Sequence, residues 1–137
     1  ETRWDYLRRV IALLKERTRR IGDFVTLGGY FFNSEFSYDP EAQAKLFDAE
    51  TADLLEPFWD KLEALPEFTH QSIEQALEGL SVERNVKKAR IIHPVRLAVS
   101  GMTVGPGLYD LLVVLSRPVV VERLKKAIGY IRNRPQI

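Results

Sequence analysis

The residues best suited to chemistry lie in "HPVRLAVSGMTVGPGLY", residues 93–109. With histidine neutral, Arg96 is the sole formal charge in these seventeen residues, and three glycines and a proline follow it within eleven positions. Four chemistries suit such a segment: a phosphate loop, a nucleophile elbow, the turn of a helix-turn-helix, or a surface that reads nucleotide bases. A phosphate loop requires GxxxxGK[ST], but the sixth position counted from Gly101 is Pro106 and no lysine follows. A dinucleotide fingerprint fails because Gly105 and Gly107 lack a third glycine and no strand precedes them. GxSxG fails because Ala98 stands two residues before Ser100. The recognition helix of a helix-turn-helix needs polar residues to reach base edges, and "GLYDLLVVL" is too apolar for that.

Base reading is the chemistry that survives. A lone arginine in an uncharged helix either pairs with an acid elsewhere in the fold or offers its planar donor fork to a base edge, which lysine cannot imitate. The glycines allow close backbone approach to a ligand, and free amides at the helix start near Pro106 favour anions. Backbone groups beside the apolar Leu108 suit unstacked bases, hence single-stranded RNA rather than duplex. The other titratable residues carry less. His70 and His93 are too few and too far apart in sequence for a metal site, and His93, beside Pro94 in apolar surroundings, is expected to be structural. The many carboxylates between residues 35 and 83 are expected to solvate helix surfaces rather than form an acid/base pair.

The elements that must position these residues are helical. Trp4, Leu7, Ile11 and Leu14 follow i, i+3, i+7, i+10, which predicts an amphipathic first helix with that stripe inward and Arg8, Arg9 and Lys15 outside it. Asp39, Pro40 and Glu41 form a helix start. Leu55, Phe58, Leu62 and Leu65 make a stripe that stops at Pro66, and Thr69 can cap a helix carrying Ile73, Ala76, Leu77 and Leu80. Another helix should carry "KKARIIHPVRLAV", bent or begun near Pro94. Pro106 and Pro118 suit the starts of two last helices, "PGLYDLLVVL" and "PVVVERLKKAIGYIRN"; in "VLSRPVVV" helix and strand compete, and Pro118 favours helix. The expectation is an all-α protein of seven or eight short helices, divided near "ALPEFTH".

The chain has 137 residues, enough for one domain or two small packed lobes. It has no cysteine, which excludes disulfides and thiolate metal sites. No apolar run reaches the roughly 18 to 20 residues of a membrane span, and no leader pattern opens the sequence, so a soluble, cytoplasmic protein is expected. The absence of an initial methionine reads as a piece of a longer chain. The net charge of +1 hides a pattern. Residues 1–34 carry seven basic and four acidic groups, residues 35–83 two and thirteen, and residues 84–137 eleven and two. Either acidic and basic faces neutralise one another, or the two ends build a polyanion-binding surface with the acidic middle facing away.

"HPVRLAVSGMTVGPGLYDLL" resembles the segment P-[LV]-R-x-A-[LV]-[ST]-G, short loop, P-G-L-[FY]-[DE] that is typical of the C-terminal region of bacterial glutamyl-tRNA synthetases. "DFVTLGGYFF", "YDPEAQAKL", "LEALPEFTHQSIEQAL" and "VVVERLKKAI" are similar to the same family in order and spacing, so the likeness runs from about residue 7 to residue 128. It implies an α-helix-cage anticodon-binding module of two small helical lobes, residues 1–66 and 67–137, the second carrying the reading loop. The partners it implies are glutamate tRNA, through its anticodon loop, and the protein's own N-terminal catalytic domain. ATP and magnesium would belong to that domain, whose HxGH- and KMSKS-like signatures are absent here. By itself this monomeric module would catalyse nothing and bind no metal.

Residue by residue, the resemblance assigns anticodon contact to Arg96 and packing on the anticodon bases to Gly105, Pro106 and Leu108, with Gly107 in the same loop. Gly105 departs from the threonine of some members, which leaves backbone contact at that position. The arginine seven residues before Phe24 is Arg17; in members that carry it, this residue reads the third anticodon base and helps reject glutamine tRNA. Two alternatives from other classes stay open: a helical protein–protein module with an acidic partner-binding face, and a small enzyme built on the carboxylate-rich middle helices.

Overall fold

Local capping chemistry sets where most helices begin. The structure, a computed structural model, describes residues 2–14, 29–32 and 36–133. Helix α1 (Arg3–Leu14) opens with a reciprocal pair: the Thr2 hydroxyl accepts from the Asp5 amide at 3.1 Å, and the Thr2 amide donates to the Asp5 carboxylate at 3.3 Å. A 3₁₀ turn follows at Gly29–Phe31. Asp39 caps α2 (Pro40–Leu46), as its sequence signal predicts, by accepting from the Glu41 and Ala42 amides. Asp48 caps α3 (Ala49–Ala64), and Thr69 with Ser72 forms the box that starts α4 (His70–Arg84). Helix α5 (Ala89–Ser100) runs through Pro94 instead of starting there, and ends at Gly101 in the left-handed conformation. Helices α6 (Leu108–Leu115) and α7 (Arg117–Arg132) are separated by Ser116 alone. Its φ of +84° and ψ of 156° are rarely adopted by an L-residue, a strain of about 1–3 kcal/mol. Among the described residues there is no strand, so the all-α expectation is met.

Helix α3 forms its most extensive packing with α7, and also meets α4 and α5. Its Leu55, Phe58 and Leu62 are fully buried, as are Ile73, Leu77 and Leu80 of α4 and Leu124 of α7. Each such side chain contributes about 1.5–3 kcal/mol of hydrophobic stabilisation. The turn at residues 65–69, where the sequence places a boundary between lobes, therefore joins two helices that share one apolar cluster. One expectation is overturned at α1. Trp4 is 72% exposed and Ile11 41%, whereas Val10 is buried and Tyr6 and Leu13 pack on the core. Two apolar stripes share this helix, and spacing alone cannot choose between them. The choice is made by Tyr6, whose hydroxyl donates to the Phe31 carbonyl at 2.7 Å and whose ring meets Phe32 edge-on.

A polar joint ties α3 to α5. Buried Thr51 donates its hydroxyl to the Leu46 carbonyl and accepts from Arg90 Nη1 at 2.8 Å, while Arg90 Nη2 reaches Asp48 at 3.3 Å. Partial burial pushes the Asp48 carboxyl upward, but its hydrogen bonds from Thr51 and the Arg90 guanidinium outweigh this and hold it below the usual carboxylate range. Asp48→Ala removes the cap and is expected to cost about 1 kcal/mol in urea unfolding at pH 7. A depressed carboxylate stabilises above its unfolded pKa, about 3.9, and that stability is lost as pH falls through the folded value. The gap between wild type and variant should accordingly narrow when the unfolding is repeated at pH 3.

Candidate nucleic-acid interface

Helix α5 delivers Arg96 to the loop that follows it. Ser100 fixes the helix end, donating to the Arg96 carbonyl at 2.7 Å and accepting from the Met102 amide at 3.1 Å. The loop then folds back, so that Arg96 Nη1 donates to the Pro106 carbonyl at 2.7 Å. Gly105 leaves room for this closure. A Cβ there would lie 3.2 Å from Arg96 Nη1 and 3.6 Å from the Tyr30 hydroxyl, tighter than an ordinary contact on its first side. Arg96, Gly105 and Pro106 thus come together, with Arg96 half-buried. Gly107 is exposed and precedes the first residue of α6, whereas Leu108 is only 5% exposed and fills the core beneath the loop. Arg17 lies outside the described residues.

Two residues matter here for reasons the sequence did not announce. Tyr30, in the 3₁₀ turn, is buried against Gly105. Arg123, counted in the sequence among the basic residues of a surface, is 3% exposed. It donates from Nη1 to the Val99 carbonyl and from Nη2 to the Tyr30 carbonyl, both at 2.6 Å, and its guanidinium lies 5.1 Å from the centre of the Phe36 ring. Val99 is in the last turn of α5, where unpaired carbonyls make the negative pole of the helix. Burial pushes the Arg123 pKa below its ordinary value. The signal was present in the spacing: Arg123 falls between Val120, Leu124 and Ala127, on the apolar phase of α7.

His93 stands on α5 as well. It is exposed, because the phase of α5 turns it to the same side as Arg96, three residues on. It borders a concavity of about 310 Å³ lined by Asp39, Glu41, Ala42, Lys45, Leu46 and Thr103. His70 lies elsewhere, at the start of α4. Its Nδ1 is 2.7 Å from Asp110 in the first turn of α6, and this hydrogen bond raises the imidazole pKa.

The acidic middle does not face away from the basic C-terminal block. Arg132 reaches Glu56 at 2.7 Å and Asp53 at 3.3 Å, Lys125 reaches Glu63 at 4.0 Å, and Lys88 reaches Glu78 at 3.3 Å. The packing of α3 on α7 brings the first three pairs together and the turn between α4 and α5 the last, at about 0–1 kcal/mol per exposed pair. Among the described residues no group of three potential ligands could hold a metal ion, and no helix is long and apolar enough to cross a membrane.

A family model described as the anticodon binding domain matches residues 2–128. The chain belongs to this family. The anticodon-binding domain is 43% identical over 122 residues to a glutamate–tRNA ligase of Chlorobium luteolum, covering 89% of this chain and 24% of that protein. A glutamate–tRNA ligase of Moorella thermoacetica is 34% identical over 134 residues, covering 97% and 27%. The crystal structure of a glutamate tRNA ligase from Elizabethkingia meningosepticum superposes with a TM-score of 0.86 at 26% identity, over 96% of this chain and 26% of that one. The anticodon-binding domain thus spans about a quarter of the length of the curated relatives it matches.

Proposed function

We propose that this domain reads the anticodon of glutamate tRNA as the C-terminal module of a glutamate–tRNA ligase. The catalytic domain of that ligase, with ATP and magnesium, would occupy another part of the protein. The observation that carries this reading is the closure of the Gly105–Pro106 backbone on the Arg96 guanidinium, within a domain of the anticodon-binding family. A guanidinium already fixed before binding loses little freedom when a base arrives. The fork discriminates because a wrong base leaves buried polar groups unpaired, so only the cognate tRNA is held productively. Gly105–Gly107 would meet the bases through backbone, with Leu108 as the apolar support beneath. On this reading the protein works as a monomer in the cytoplasm, and Arg17 adds rejection of glutamine tRNA by reading the third anticodon base.

The test is binding to an anticodon stem-loop of glutamate tRNA and to one with its third anticodon base changed, across a salt series. Cognate preference is expected, with affinity falling as salt rises. Arg96→Ala should weaken cognate binding by roughly 1–3 kcal/mol, the range for a bidentate base contact. A loss equal for all anticodons would make Arg96 a phosphate contact instead. Replacing Arg17 should narrow the preference at the third base, and an unchanged preference would remove it from the site.

A further inference from the structure

We propose that the concavity beside the reading loop is a subsite for one further unstacked nucleobase of the same RNA loop, outside the anticodon bases read at Arg96. This rests on the anticodon-reading function above and extends it to a second pocket. The concavity measures about 310 Å³, at the lower end of the range for ligand pockets. It adjoins the Arg96 site on two sides. His93 precedes Arg96 by three residues on the same face of α5, and Thr103 belongs to the same loop as Gly105. Its walls are fixed to one another before any ligand arrives, because the Asp39 amide donates to the Gly101 carbonyl at 2.8 Å, joining the start of α2 to the loop.

The lining selects the ligand. Ala42 and Leu46 supply an apolar patch, and Asp39, Glu41, Lys45, His93 and Thr103 supply donors and acceptors around it. Two carboxylates oppose a phosphate, so the backbone of the RNA is not the occupant. An unstacked base has what the pocket asks for: apolar faces, and an edge that alternates donors with acceptors. Glu41 and Lys45 stand 3.8 Å apart on successive turns of α2, an acceptor beside a donor. That pair matches a base edge with an N–H donor next to an acceptor, which each of the four RNA bases presents.

The experiment uses the same glutamate stem-loop. Each loop nucleotide outside the anticodon triplet is replaced in turn by an abasic one, and Kd is measured for the wild-type chain and for His93→Ala and Lys45→Ala. Both side chains are exposed, so the fold should survive, and circular dichroism checks this. One abasic position is expected to weaken wild-type binding roughly tenfold. At that position the variants should bind intact and abasic loops equally, because the base has already lost its pocket. Abasic losses that are the same in wild type and variants at every position overturn the subsite while leaving anticodon reading intact. A wild-type chain that shows no preference for the cognate triplet overturns the reading beneath it, and the subsite with it.

Discussion

Arg123→Met is expected to lower the unfolding free energy by about 3 kcal/mol, read from the urea midpoint at constant m-value. The methionine keeps most of the side-chain volume but leaves the Val99 and Tyr30 carbonyls without their donors in a region closed to water. Each unsatisfied carbonyl costs about 1–3 kcal/mol, and removing a desolvated charge returns part of the loss. Arg123→Lys should fall between wild type and Met, because lysine keeps the charge but not the planar fork. The effect reaches the interface. Val99 is one turn beyond Arg96, and Tyr30 lies against Gly105, so both walls of the reading site hang from this one side chain. Cognate stem-loop binding should weaken in the variant even where its fold remains fully populated. An Arg123→Met protein with wild-type stability would show that water or another donor replaces the guanidinium.

Gly101→Ala is expected to cost about 2–4 kcal/mol, and Gly101→Val more. Gly101 holds φ +75° as the cap of α5, a conformation unfavourable for any residue with a Cβ. A Cβ there would also lie 2.5 Å from the Ser37 carbonyl oxygen and 2.7 Å from Phe36 Cδ2. The first neighbour is backbone and cannot swing aside. The segment at residues 36–39 would have to lift from the loop, breaking the Asp39–Gly101 hydrogen bond and moving the ring that covers Arg123. Gly79 provides the control. It is inside α4, with nothing within 4 Å of its added Cβ, so Gly79→Ala should stabilise by about 0.5–1 kcal/mol through helix propensity alone. Equal effects at the two positions in thermal unfolding would remove steric fit as the cause.

What the sequence made legible was local. Asp39–Pro40 and Thr69 marked helix starts because capping is a contact among four neighbouring residues, and each operates where expected. The loop after Arg96 was legible for the same reason, since glycines declare their backbone freedom in place. What depended on distant partners was not. The inward face of α1 rests on a hydrogen bond between Tyr6 and Phe31, twenty-five residues apart, and the fate of the acidic block rests on α3 meeting α7. Arg123 was misjudged because composition counts a charge without saying which side of its helix is buried. His93 shows the same limit: its neighbours in sequence are apolar, but a helix turns neighbours to different faces, and its side chain is exposed.

The packing of α3 on α7 has a consequence for how the protein is made. Residues 49–64 must wait for residues 117–132, so the closing contacts are among the most distant in the chain. A nascent chain that has emerged only as far as α6 carries Leu55, Phe58 and Leu62 with one apolar side still uncovered, a species open to chaperones and to aggregation. The core of this domain therefore closes only once α7 has been made, and a stop codon before α7 leaves that face of α3 uncovered.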